Sequence, residues 1–190
     1  MINRAELKSQ ALGSLRGNWG TAILAWLIYL LITGILGGTG VGSLFAGLVY
    51  VGYAAVTVSL IRTGSAKLES MVTCITERFA EKFVSTLLVS IFTFLWTLLF
   101  IIPGIIKAFA YSMTPYILND RPELSATDAI KESCRMMYGH KMDLFILYLS
   151  FIGWDILCVL TFGILSFYVS PYKANTVAAF YEKIKSEEVK

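Results

Sequence analysis

Charge is what this chain has least of. Asp, Glu, Lys and Arg make up 15% of its 190 residues, against about 25% in soluble domains. Hydrophobic residues reach 56%, the mean hydropathy is +0.68, and apolar runs of about 18 residues recur along the chain. A water-soluble core cannot account for that combination, and bilayer spans can. Cysteine is scarce too. Cys74, Cys134 and Cys158 are widely separated and form no C-x-x-C, so they read as small buried hydrophobes and not as a disulfide framework. The one histidine, His140, lies beside Lys141 in a helix-terminating turn, which suits capping better than catalysis. There is no H-E-x-x-H, no G-x-S-x-G and no phosphate-binding loop. No enzymatic activity, cofactor or metal site is therefore expected. Gly37, Gly38, Gly40 and Gly42 fit neither nucleotide motif, because no strand and helix flank them; they read as a turn between two spans. No cleavable signal peptide is expected, since the first apolar run starts near Trp19 and lacks a small-residue cleavage site.

Charge is also missing from particular places. Fourteen of the sixteen Lys and Arg lie in the N-terminal segment, two internal polar segments and the C-terminal tail. The connections near Gly40, Pro103 and Gly163 carry none. Basic loops stay in the cytoplasm, which predicts cytoplasmic termini and an even number of spans. The basic residues are interleaved with acids and each cluster abuts a span, so nucleic acid is not an expected partner.

What is present has a period. Residues 3–17 read as an amphipathic helix, with Asn3 and Glu6 at capping-box spacing and Leu7, Ala11 and Leu15 on one face. Spans follow at about 19–36 and 44–61. The pattern restarts with an amphipathic segment at 66–80, a span at about 83–102, a turn at Pro103-Gly104 and a short span ending at Asn119. It restarts again at Ser125, with an amphipathic segment to residue 138, a span at 144–160, a turn at Gly163 and a sixth span to about Tyr181. First-turn acids (Glu6, Glu69, Asp128), small residues (Ala11, Cys74, Ser133), helix-ending residues (Gly17, Ala80, Gly139) and outer-turn residues (Gly40, Pro103, Phe162) align between the units. The expected fold is a single all-α membrane domain of six transmembrane helices. It comprises three pseudo-repeated hairpins, at about 3–62, 66–119 and 125–182, each preceded by an in-plane cytoplasmic helix, with a solvated tail at 183–190.

Two sets of residues depart from this pattern. Lys107, Asp155 and Lys173 are ionisable groups inside spans. At 1.5 Å per residue, Asp155 and Lys173 sit roughly 12 and 15 Å from Gly163 on antiparallel neighbours, and so are level. They can pair, line a polar site with Lys107, or, for Lys107, snorkel to the interface. The second set is a column of helix breakers each followed by tyrosine: Gly52-Tyr53, Pro115-Tyr116 and Pro171-Tyr172. Three breaks at comparable depth could ring a cavity; single Pro, Gly and interfacial Tyr are also ordinary in membrane helices. Lys8, Arg16, Lys67, Arg78, Lys131 and Arg135 on the in-plane segments are expected to meet anionic inner-leaflet lipids. The same faces could instead dock a membrane or cytoplasmic protein.

The run L-L-F-I-I-P-G-I-I-K-A-F-A-Y-S-M-T-P-Y-I-L, then L-S-A-T-D-A-I-K-E-S-C-R-M-M-Y-G-H-K, L-S-F-I-G-W, S-P-Y and T-V-A-A-F-Y, with the early R-G-N-W, resembles the domain-of-unknown-function 975 family. These are bacterial integral membrane proteins, mostly from Firmicutes. The resemblance implies a multi-span protein of the bacterial cytoplasmic membrane and assigns no functional residue. The function expected on all of this is a non-enzymatic scaffold or modulator of a membrane complex. The alternative is a small-solute or ion transporter with a polar site between helices four to six.

Overall fold

The computed structural model describes residues 3–37, 42–65, 68–76, 78–99 and 101–188, and among these there are helices and no strand. Helix α1 (Arg4–Leu15) starts where the Asn3 side chain accepts the Ala5 N–H at 3.1 Å, and it buries Leu7, Ala11 and Leu15 along one face. Gly17, at φ 82°, then turns the chain into α2 (Trp19–Gly37), at 98° to α1. Next come α3 (Gly42–Thr63), α4 (Glu69–Thr76) and α5 (Phe79–Leu99). They are followed by α6 (Ile101–Tyr111), α7 (Thr114–Asp120) and α8 (Ala126–Met136). The last three are α9 (Lys141–Leu149), α10 (Ile152–Leu160) and α11 (Ser166–Glu188). Ser125 caps α8 by accepting the Asp128 N–H at 3.2 Å, and Gly139, at φ 86°, ends the turn after it.

Several expected punctuation marks fall elsewhere. Pro103-Gly104 is not a turn but sits in the first helical turn of α6. A proline is tolerated there because first-turn N–H groups have no intrahelical acceptor. Gly104 is required by packing: a Cβ on it would stand 2.7 Å from the Thr97 Cα of α5, so the two helices touch backbone to backbone. Ala80 lies inside α5, and the left-handed residue that ends the preceding turn is Arg78, at φ 52°. Gly17, Arg78 and Gly139 are equally spaced along the chain. Of the three helix-break pairs, only Pro115 marks a break, in the first turn of α7. Gly52 lies within an uninterrupted α3 and Pro171 within an uninterrupted α11. The Phe162-Gly163 turn is present, at φ 50° and 85°, whereas Gly40 lies outside the described residues.

Three helical stretches, Phe45–Thr63, Phe79–Leu98 and Lys141–Leu160, are long and apolar enough to cross a membrane, and a fourth is counted if the bent α1–α2 pair is one span. The expected fourth and sixth spans do not meet that measure among the described residues. One is divided into α6 and α7, and the other, α11, carries Lys173, Asn175, Glu182, Lys183 and Lys185. The largest core gathers α7, α8, α9 and residues 177–184 of α11 against Leu7 of α1 and Ala54 and Val58 of α3. Away from it, Leu31 and Ile35 of α2, Phe94 and Leu98 of α5, and Val159 and Leu160 of α10 are exposed. The helices are thus tied together around this core, with the apolar faces of α2, α5 and α10 turned outward.

A single carboxylate ties the knot. Asp120, with a side chain 5% exposed, accepts bonds from Arg62 at 2.6 Å, Tyr181 at 2.7 Å and Lys185. Arg62 reaches Glu182 at 2.6 Å as well, so α3, α7 and α11 meet at one point. Burial pushes the Asp120 carboxyl up, but the bonds from Arg62, Lys185 and Tyr181 outweigh it and hold the pKa below the ordinary 3.8. Asp120→Ala is expected to cost about 2–3 kcal/mol, less than the roughly 3–5 of a fully buried pair because both cations are partly exposed. Because the folded pKa is depressed, this contribution is complete above the unfolded value and is lost as pH falls through the folded one. Thermal melts in detergent should therefore show wild type losing stability more steeply than Asp120→Asn below about pH 4. Gly104→Val should cost about 1–3 kcal/mol by forcing α5 and α6 apart, read in the same melts.

Candidate functional site

Tyrosine hydroxyls converge where α2, α3, α7 and α9 meet. Tyr50 and Tyr53, three apart on α3, share a face. Tyr29 of α2 stacks on Tyr53 with ring centroids 5.3 Å apart, and the Tyr50 and Tyr116 hydroxyls are 3.5 Å apart. Two cavities flank this group. The first, about 280 Å³, lies between α3, α5, α6, α7 and α9 and is lined by Thr86, Ser90, Thr93, Ser112, Thr114 and Pro115 together with Tyr50 and Tyr148. The second, about 190 Å³, lies between α2, α3, α9 and α11 and is lined by Trp26, Tyr29, Tyr53 and Lys173, again with Tyr50 and Tyr148. Tyr50 and Tyr148 belong to both linings, so their rings form the wall between two chambers.

The lining of each chamber includes a residue whose own hydroxyl is orphaned. Thr114 Oγ1 in the first and Tyr53 OH in the second are buried and have no hydrogen-bond partner; their residues are 2% and 4% exposed. A buried hydroxyl left unpaired costs about 1–3 kcal/mol, and native proteins normally satisfy such groups with water or a ligand. The first chamber is held open by local sequence. Thr86, Ser90 and Thr93 recur at i, i+4 and i+7, which lays a hydroxyl stripe along one face of α5. The Ser90 hydroxyl donates to the Thr86 carbonyl at 2.9 Å. Gly47 brings α3 against the same stripe, since a Cβ there would meet the Thr86 Cβ at 2.9 Å.

The ionisable residues singled out from sequence separate into two places. Lys173 Nζ lies 2.9 Å from Asp155 Oδ2 on α10, with side chains 28% and 48% exposed. The ammonium also faces the Tyr148 ring at 5.5 Å and the Phe151 ring at 6.0 Å. Lys107 does not join them; it stands over the Trp96 ring of α5 at 5.0 Å. Lys8 takes its place. It donates to the Ser150 carbonyl at 3.2 Å and lies 4.3 Å from the Phe151 ring, and burial, then the charge of Arg4, pushes its ammonium pKa down.

Of the helix-break column, Tyr53 and Pro115 line chambers and Tyr116 reaches them through Tyr50. Gly52 and Pro171 are buried and line neither. Tyr172 packs on Phe151, with ring centroids 5.2 Å apart. Tyr29, Tyr50, Tyr148 and the α5 hydroxyl stripe were missed. The stripe was legible as a helical polar period inside an apolar run; Tyr148 carries no such signal.

Among the basic residues expected to face lipid, Arg78, Lys131 and Arg135 are paired within the chain, with Glu81, Asp128 and Glu132 at 2.7, 3.3 and 2.7 Å. Lys67 lies outside the described residues. Tyr53→Phe and Thr114→Val should leave the melting temperature unchanged or raise it in ligand-free detergent, because each removes an unpaired buried hydroxyl. A drop equivalent to more than about 1 kcal/mol in either variant would mean that ordered water already satisfies the group.

No curated protein and no solved structure matches the chain. The chain belongs to the family described as Protein of unknown function (DUF975), whose model matches residues 1–108 and again 98–188 and so runs along nearly its whole length.

Proposed function

We propose that the chain is a non-enzymatic, multi-span protein of the bacterial cytoplasmic membrane with both termini in the cytoplasm, and that it carries a small uncharged polar solute through the two chambers. The observation that carries this reading is the pair of orphaned buried hydroxyls, Tyr53 and Thr114, on opposite sides of the Tyr50–Tyr148 wall. A solute with its own donors and acceptors would satisfy both in turn as the neighbouring rings rotate and bare them. The first chamber is lined by no ionisable carboxylate or amine, and the one cation of the second, Lys173, is already met by Asp155. That chemistry favours a neutral solute over an ion. Ligand pockets commonly hold roughly 300–1,000 Å³, so chambers of about 280 and 190 Å³ suit a molecule of polyol size. Rotation of the Tyr50 or Tyr148 ring would join them.

A second reading, a scaffold or modulator of a membrane complex, is favoured by α10. It has no buried residue, yet it holds the half-exposed Asp155. An ionisable side chain in hydrocarbon faces water or protein, so a partner helix over α10 would cover it. The in-plane reading of α1 and α8 on the inner leaflet belongs to both.

Osmotic swelling of proteoliposomes in glycerol or erythritol separates the readings. Transport predicts faster swelling than in protein-free vesicles, and a several-fold slowing by Ser90→Phe, which fills the first chamber. Swelling equal to that of empty vesicles for both solutes would leave the scaffold reading, tested by co-purification of a stable partner from native membrane. A reporter fused after Lys190 should read out on the cytoplasmic side.

A further inference from the structure

The one charged residue classed as buried among the described residues is Lys82, which is 3% exposed. It stands in the first turn of α5, where the helix dipole disfavours a cation. Its ammonium donates to the Cys74 carbonyl near the C-terminal end of α4 and lies 3.2 Å from Cys74 Sγ. No carboxylate of the described residues comes within 4.0 Å of it. The α4 terminus supplies roughly half a negative charge, and no carboxylate among the described residues adds to it. Buried ions normally have a counter-charge.

The Lys82 side chain borders a third cavity, of about 360 Å³, which also meets Glu69, Ser70, Thr73, Cys74 and Asn119. Its polar groups are unequally committed. The Thr73 hydroxyl donates to the Glu69 carbonyl at 3.0 Å. One N–H of the Asn119 amide donates to the Val51 carbonyl at 2.9 Å, which leaves the other. The Ser70 hydroxyl bonds to no described residue. Glu69 is exposed and stands at the rim. We infer that this cavity binds a singly charged oxyanion, with Lys82 as its counter-charge and Ser70 and Asn119 as hydrogen-bond donors. The rim carboxylate of Glu69 repels a dianion and tolerates a monoanion. A phosphodiester or a carboxylate meets that description, and the phosphodiester can come from a lipid headgroup or from solution. The site is separate from the two chambers and does not depend on them.

The test is thermal unfolding of the full chain in uncharged detergent, with dimethyl phosphate, acetate or added phosphatidylglycerol, each against chloride at equal ionic strength. A binding ligand raises the melting temperature as its concentration passes the dissociation constant. Stabilisation by dimethyl phosphate or acetate assigns a soluble ligand; stabilisation by phosphatidylglycerol alone assigns the lipid headgroup. Lys82→Gln should weaken the effect at least about tenfold in apparent affinity. Ser70→Leu, which fills the cavity and leaves Lys82 in place, should abolish it and covers the case in which Lys82→Gln fails to fold. The inference is overturned if none of the three anions stabilises wild type beyond chloride. It is equally overturned if Ser70→Leu responds as wild type does.

Discussion

Everything else in the molecule depends on what the Asp120 carboxylate holds together. In hydrocarbon, helices gain little from hydrophobic burial against one another, and close packing and polar contacts decide how they associate. Asp120 ends α7, Arg62 lies in the last turn of α3, and Tyr181, Glu182 and Lys185 lie along one side of α11. These contacts fix where α11 passes α3. That crossing brings Tyr53 and Lys173 into the lining of the second chamber. It also buries residues 177–181 of α11, an otherwise polar helix, in the largest core. A polar helix thus becomes the element around which the apolar ones are arranged.

The remaining contacts are of two kinds. Small residues let backbones approach, as at Gly104 on Thr97 and Gly47 on Thr86. Buried hydroxyls pin helices end to side, as where Ser85 donates to the Ala126 carbonyl at 2.9 Å and Ser133 to that of Ala110 at 2.7 Å. Both devices give close, directional contacts without large side chains. Between and beyond these contacts, apolar side chains such as Leu95 and Leu98 of α5 and Val159 and Leu160 of α10 face outward.

The sequence carried the helical class, the family and the helix-bounding residues Asn3, Gly17, Ser125, Gly139 and Gly163, because capping and left-handed turns are local chemistry. Pro103 was misplaced as a turn because a proline in the first turn of a helix and one just before it look alike in sequence. The six-span count rested on hydropathy averaged over segments, and α11 shows why that is insufficient: its polar groups are met by Asp120, Arg62 and Asp155, which lie 18 to 120 positions from their partners in sequence. The pairing of Lys173 with Asp155 was within reach of simple helix geometry, since both count from the same turn. The role of Tyr148, the burial of Lys82 and the approach of Lys8 to Phe151 were not. Each depends on which helices become neighbours, which no local pattern encodes.

Passage of a solute requires that the two chambers be reached by water. Single cysteines can be placed in a chain lacking Cys74, Cys134 and Cys158, at Ser90→Cys in the first chamber, Ala174→Cys in the second, and Leu95→Cys on the exposed face of α5. A membrane-impermeant, water-soluble thiol reagent is then applied to native vesicles, from each side in turn. The account predicts modification of Ser90→Cys and Ala174→Cys, slowed by glycerol or erythritol, and none of Leu95→Cys. Failure of both chamber positions to react from either side would contradict it.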